Sequence, residues 1–391
     1  NNGIFIIYAH FFNSSHKNID YINYFDKNRR KVKRELFDVR GFLSCTKLLT
    51  GKQNTVYESY HNANGEIVIE KYYHAQSDKD TLDLIVLNFD NKNHYFYQEE
   101  ELVAYFIETL FQENDLFFSD KNLYTAPAFN LTSTNIPVVA VLHSTHVKDS
   151  NNVSTSNYKN VYKEIFNNLS RYQAIIASTN EQKLDVSHRV NSEIPVHNIP
   201  VGFTNPIKLA NNNINHNKLI SVARYSPEKQ LDHQLRLIKK LKNSFPNIEL
   251  HMYGSGMEKV KLQNLIKEQD LENHVFLRGF LPDLENEFND AYLSIITSNM
   301  EGFSLALLES LAHGVPTISY NIKYGPKEMI NNGENGYLIE KNDEDALYEK
   351  VKYLLDNPEL QHEFSLNSIQ VANQFSEDHL IKQWHSFLKT L

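Results

Sequence analysis

Cysteine is almost absent from this chain of 391 residues: Cys45 stands alone. An intrachain disulfide and a cysteine-built structural zinc site are therefore excluded, and a reducing compartment fits best. Apolar residues make up 41% of the chain, yet no uninterrupted run approaches the length of a membrane-spanning helix. No secretory leader is visible. Positive charge is also in short supply, since the net charge is −9, the opposite of what a bulk nucleic-acid binder carries. The one basic run, Lys27, Arg29, Arg30, Lys31, Lys33 and Arg34, reads as a solvated turn or strand face, or as a contact surface for a polyanion. The chain opens on Asn1 rather than Met, which suggests a fragment or a trimmed chain.

What remains is ample material for two or three domains. Residues 1–97 read as β-rich. Gly3 to Tyr8, Glu66 to Tyr73, Leu82 to Asn88 and His94 to Tyr97 alternate with turn sequences such as Asn62-Ala63-Asn64-Gly65. Strands at such short intervals predict a meander, not βαβ units. The period changes at Glu99 to Gln112, where Leu102, Tyr105, Phe106 and Leu110 share one helical face. Over 98–204, the apolar runs at Leu116, Val138 to Leu142 and Ala174 to Ala177 alternate with helical stretches. That pattern predicts a parallel sheet covered on both faces. The polar, Asn-rich stretch 205–217 reads as a junction. A second βα series then runs from Lys218 to Ser319 within a region 205–373, and 374–391 has helical spacing around Trp384. No internal repeat beyond the βα units is evident.

Open α/β sheets bind ligands at the carboxyl ends of their strands. There the second series carries Arg224 and Lys229, two cations able to clamp a diphosphate. Gly254-Ser255-Gly256 follows another strand, and without a third glycine it reads as a βα turn, not a dinucleotide fingerprint. Glu301-Gly302-Phe303-Ser304 follows a strand and opens a helix running through Glu309. Amides at a helix start favour an anion. In the first series, Val138 to Leu142 runs into His143 and His146, a pair too sparse for a zinc site. Asp78-Lys79-Asp80 is an Asp-x-Asp match in a polar turn far from any βα crevice, a weak metal candidate.

Taken together and in order, several segments resemble the family 4 retaining glycosyltransferases of the GT-B fold. They are Ser221 to Lys229, His251 to Gly256, Leu277 to Asp283, Glu301 to Glu309, Ala312 to Thr317 and Asn335 to Ile339. The resemblance implies an α/β architecture with two Rossmann-like domains facing a cleft and the meander as an insertion. The C-terminal helix would cross back onto the first domain. The β-rich start and Tyr324-Gly325-Pro326 are similar to the bacterial branch that glycosylates serine-rich surface proteins or wall teichoic acid.

The resemblance further implies UDP-sugar as donor, no cofactor and no metal. Arg224 and Lys229 would neutralise the diphosphate. Glu301 would hold donor hydroxyls, beside the amides of Gly302, Phe303 and Ser304. Glu309 would take the ribose, Phe280 and Leu281 would frame the uracil, and Gly254 would border the donor. His143, rather than His146, would assist near the sugar. Expected partners are a serine-rich protein or teichoic acid acceptor, and a second copy or a paralogous subunit through the meander. No nucleic acid and at most peripheral membrane contact are expected, in the cytoplasm or at the inner face of its membrane. The favoured reaction is transfer of N-acetylglucosamine to Ser/Thr, and the alternative is glycosylation of a polyol phosphate. A non-catalytic partner subunit would be expected to lose Arg224, Lys229, Glu301 and Glu309, and all four are present. Family members place a strand and a glycine-rich loop ahead of such a meander. Here no such loop precedes it, so the expectation is that either roughly a hundred residues are missing from this chain or the first sheet is incomplete.

Overall fold

The computed structural model describes residues 6–12, 17–76, 79–191, 193–205 and 214–391. Two compact units emerge: Asn1–Asp115 with Pro127–Ile136, and Leu116–Ala126 with Pro137–Leu391.

The first unit is built on one antiparallel sheet in chain order: β1 (Ile7–Phe11), β2 (Ile19–Phe25), β3 (Lys31–Phe37), β4 (Leu43–Leu49), β5 (Thr55–His61), β6 (Ile67–Tyr73), β7 (Leu82–Phe89) and β8 (Lys92–Phe96). Here the expectation of no further repeat fails. Strands β2 to β6 begin at 19, 31, 43, 55 and 67, a period of twelve. The turns share one construction at the same spacing. Asp26 Oδ1 accepts from the amides of Asn28 and Arg30, Thr50 Oγ1 from Lys52 and Asn54, and Asn62 Oδ1 from Asn64 and Glu66. Asp38 Oδ1 accepts from Arg40. Three residues after each acceptor the backbone turns left-handed, at Arg29, Gly41, Gln53 and Gly65. Side-chain oxygens thus hold each turn where glycine alone does not.

The basic run splits over this hairpin. Lys27, Arg29 and Arg30 are exposed at the turn. Lys33 pairs with Glu35 at 2.5 Å, and Arg34 lies over the Tyr21 ring at 4.3 Å and donates to Asn23. Asp78 lies outside the described residues. Asp80 is occupied by Thr55, accepting from its amide at 2.7 Å and its hydroxyl at 3.0 Å. The helix Glu99–Leu110 packs on the meander and belongs to the first unit. Tyr105 Oη meets His94 Nε2 at 3.2 Å, and Lys71 pairs with Glu99 at 2.6 Å.

The second unit holds two parallel sheets. Its first half carries β9 (Phe117–Ser119), β10 (Val138–Leu142), β11 (Ala174–Ala177) and β12 (Val196–Asn198), in order β12-β11-β10-β9. Its second half carries β13 (Lys218–Val222), β14 (Glu249–Tyr253), β15 (Val275–Gly279), β16 (Leu293–Ile296), β17 (Thr317–Tyr320) and β18 (Gly336–Ile339), in order β15-β14-β13-β16-β17-β18. Both β10 and β16 are buried at every position, which is why they read as unbroken apolar runs. Strand order reverses on either side of β13, so a crevice opens at the carboxyl ends of β13 and β16.

The chain passes between the halves twice, and the two passages touch: Thr204 N donates to Phe375 O at 3.0 Å. The final helix, Glu377–Leu388, returns to the first half. Phe387 is buried there against Val139, Val141 and Ile176, and Trp384 meets Phe118 edge-on at 5.5 Å. Burying one such aromatic side chain contributes roughly 1.5–3 kcal/mol. No helix of the described residues is long and apolar enough to cross a membrane.

Candidate functional site

The crevice of the second half encloses a cavity of about 800 Å³. Its wall takes in Arg224, Lys229, Gly254, Phe280, Leu281, Glu301, Ser304 and Glu309. Three predicted residues stand off that wall. Gly302 and Phe303 are buried behind it, and His143 belongs to the first half.

Lys229 and Glu301 meet from different loops. Lys229 Nζ lies 2.7 Å from Glu301 Oε1, with both side chains largely enclosed, at 15% and 12% exposure. Ser298 Oγ donates to the same Oε1 at 2.6 Å. Arg224 is different in kind. Its side chain is 77% exposed and pairs with Glu228 at 2.9 Å. An exposed pair of that sort is worth about 0–1 kcal/mol, so an entering anion displaces it at little cost.

Ser304 caps the helix Leu305–Ala312 in a left-handed conformation, φ 76°. The first amides of that helix have no intrahelical acceptor, and Leu305 and Ala306 lie on the cavity wall. Glu309 sits on the next turns of the same helix, and desolvation raises its carboxyl above the usual range. Phe280 and Leu281, just after β15, present exposed apolar surface to the cavity.

Gly254 serves the packing of one loop on another. Its φ is 140°, and a Cβ there would stand 1.9 Å from Ala223 O. The adjacent contacts, Tyr225 N to Ser255 O at 2.9 Å and Gly254 N to Gly279 O at 2.8 Å, lock the three strand-end loops together.

His143 follows β10, and its Nε2 lies 2.6 Å from Asp120 Oδ1 at the end of β9. Its carbonyl meets Gly302 so closely that a Cβ on Gly302 would stand 2.2 Å from it. Thr145 Oγ1 donates to Glu301 O at 3.2 Å. The first half therefore touches the Glu301 loop directly. His146, by contrast, is fully buried with neither ring nitrogen hydrogen-bonded, and burial pushes its pKa down to about 4.

Sequence reasoning missed the partners of these residues: Asp120, Ser298 and Glu228, and also Lys159, whose Nζ donates to Met300 Sδ at 3.2 Å. Burial lowers the Lys159 pKa. Ser298, three residues before Glu301, was open to detection. Asp120 required knowing that β9 and β10 are neighbours. Among the described residues no group of three or more His, Cys, Asp or Glu could hold a metal ion.

Residues 206–371 match the family described as glycosyl transferases group 1. The poly(glycerol-phosphate) alpha-glucosyltransferase of Bacillus subtilis (strain 168) is 26% identical over 375 residues, 94% of this chain and 55% of that protein. A UDP-N-acetylglucosamine–peptide N-acetylglucosaminyltransferase GtfA subunit of Streptococcus agalactiae is 27% identical over 351 residues, 85% of this chain and 66% of that protein. The chain thus spans less than two thirds of the length of either relative. In fold it is similar to the crystal structure of the pneumococcal O-GlcNAc transferase GtfA in complex with UDP and GlcNAc, with a TM-score of 0.86 at 19% identity over 98% of this chain and 76% of that one.

Proposed function

We propose, for a chain of GT-B fold whose residues 206–371 belong to the glycosyl transferases group 1 family, retaining transfer of a sugar from a UDP-sugar. The observation that carries this reading is the Lys229–Glu301 pair beside the start of the helix Leu305–Ala312. It joins a cation, a carboxylate and unclaimed amides on one cavity wall. Arg224, Lys229 and those amides hold the diphosphate and take up the charge that grows on it as the sugar leaves. Glu309 receives the ribose hydroxyls, and Phe280 and Leu281 border the base. Lys229 and Ser298 both donate to Oε1 of Glu301, and Oε2 takes hydroxyls of the donor sugar.

In the reaction, the bond from the anomeric carbon to the β-phosphate oxygen breaks and UDP departs with the electron pair. The acceptor hydroxyl attacks on the same face, and its proton passes to the departing phosphate oxygen. No metal or cofactor takes part in this scheme. His143, held by Asp120, contacts the sugar from the other half of the unit.

The favoured acceptor is Ser/Thr of a serine-rich surface protein, with N-acetylglucosamine as the sugar and a second subunit joining through the meander. Support comes from the GtfA relative, whose name carries both the peptide acceptor and the word subunit. A second reading, a polyol phosphate acceptor, is favoured by the Bacillus subtilis relative and by the exposed Lys27, Arg29 and Arg30. Radiolabelled UDP-N-acetylglucosamine and UDP-glucose, each offered with a serine-rich peptide and with poly(glycerol phosphate), separate the two. Label on the peptide supports the first reading and label on the polymer the second. No turnover of either donor, even to hydrolysis, defeats both.

A further inference from the structure

One acid outside the cavity reaches Glu301 through a short chain of contacts. Asp185 lies on the helix Asn180–Arg189, which follows β11 in the first half, and contributes nothing to the cavity wall. Its Oδ2 accepts from Lys323 Nζ at 2.5 Å and from Tyr324 Oη at 2.8 Å. Lys323 and Tyr324 belong to the loop after β17 in the second half. Tyr324 is fully buried and stacks on His146, with ring centroids 6.2 Å apart and planes 14° from parallel.

The same two residues are tied to the backbone of Glu301 in both directions. Tyr324 N donates to Glu301 O at 2.9 Å, and Glu301 N donates to Lys323 O at 3.3 Å. The next residue closes the packing, since a Cβ on Gly325 would stand 2.2 Å from Phe303 O. The loop after β17 is thus moulded to the segment 301–303 and anchored at its outer end by Asp185, with Glu181 at a longer 3.7 Å from Lys323 Nζ.

We infer that Asp185 is a positioning residue for Glu301. It fixes the Lys323–Tyr324 segment, which fixes the Glu301 peptide, which places the carboxylate beside Lys229. This rests on the reading of Glu301 as the group that holds the donor sugar. A half-buried ion pair that also accepts from a buried phenol is well suited to the task. Its geometry is set by two donors at once, and removing the acceptor takes this bond from the fully buried Tyr324 hydroxyl and leaves Lys323 the longer contact to Glu181, at 3.7 Å. Arg224 and Phe280, which would contact UDP itself, lie on other loops, and Glu309 lies on the helix Leu305–Ala312.

The test compares Asp185→Ala, Asp185→Asn and Tyr324→Phe with the parent chain. In UDP-sugar hydrolysis, Asp185→Ala lowers kcat tenfold or more, and the other two lower it about threefold. KM for the donor and the calorimetric affinity for UDP stay within twofold. Amide exchange quickens over 299–304 and 321–325 in Asp185→Ala but not over 250–256. The exchange readout needs no turnover. If the parent chain turns over no UDP-sugar, the proposed reaction fails and exchange alone decides this inference. Unchanged exchange at 299–304 overturns it. So does a variant whose melting temperature falls while kcat per folded molecule is unchanged, which marks a purely structural tie. Should Asp185→Ala fail to fold, Tyr324→Phe, which removes one oxygen, decides by the same readouts.

Discussion

In the meander, neighbouring strands run in opposite directions, so the ends of β5 and β6 point to opposite edges of the sheet. In β13 to β18 every strand runs the same way, and all the carboxyl ends fall on one edge. The meander places its charges on a face, where Arg34, Lys47, Glu58 and Lys71 occupy successive registers across four strands. Glu58 is buried and satisfied there by Lys47, Tyr60 and Tyr73. The parallel sheet leaves its polar groups at strand ends, where they converge on a cavity while still free to exchange partners. The same residue types therefore hold a surface together in one region and line a cavity in the other.

Substitutions can break that contrast. Lys229→Ala is expected to lower UDP-sugar turnover about 10²–10³-fold, the range seen when one electrostatic donor to a transition state is removed. Lys47→Ala, in the meander, leaves turnover per folded molecule near the parent value. A comparable fall in both, measured as donor hydrolysis, erases the distinction.

Next in size is a pH effect confined to the second unit. His146 has a folded pKa of about 4. In the unfolded chain it takes up its proton near 6.5. Between those values the unfolded state binds more protons, so stability is complete above about pH 6.5 and is lost as pH falls toward 4, on the order of 3 kcal/mol. Urea unfolding from pH 7 to 4.5 shows this loss in the parent chain, and His146→Phe flattens it.

Gly302→Ala pushes a methyl group toward the His143 carbonyl, an overpacking expected to cost roughly 1–3 kcal/mol. It lowers turnover as well, because the clash lies beside Glu301. Gly65→Ala, where a Cβ meets open space but φ is 84°, costs only about 1 kcal/mol of stability and no turnover. Smallest is charge reversal of Lys27, Arg29 and Arg30 to Glu, expected to change donor hydrolysis less than twofold. A selective loss of transfer to poly(glycerol phosphate) in that variant ties the hairpin to a polyanionic acceptor.

The two regions also differed in how openly the sequence announced them. Strand β13 is expected at Lys218 to Val222 and is found there, because Leu219, Ile220 and Val222 stand out against the polar, Asn-rich stretch before them. The twelve-residue repeat went unseen. Its turns use Asp, Asp, Thr and Asn as acceptors and only two glycines at four left-handed positions, so no single letter recurs. Its strands are half-buried on both faces, and β4, Leu-Ser-Cys-Thr-Lys-Leu-Leu, shows no clean alternation. At the site, residues inside the strand-end motifs were legible, but their partners were not. Asp120 needs the pairing of β9 with β10, and Asp185 lies 138 residues from Lys323 along the chain.

The two passages between the halves lie side by side at Thr204 and Phe375, and Phe375 meets Phe303 edge-on at 5.6 Å, one residue from Gly302. The second crossing of the chain is thereby packed against the segment that carries Gly302 and Glu301. A change in the Thr204–Phe375 junction reaches that segment through one aromatic contact, without any residue of the cavity wall being altered.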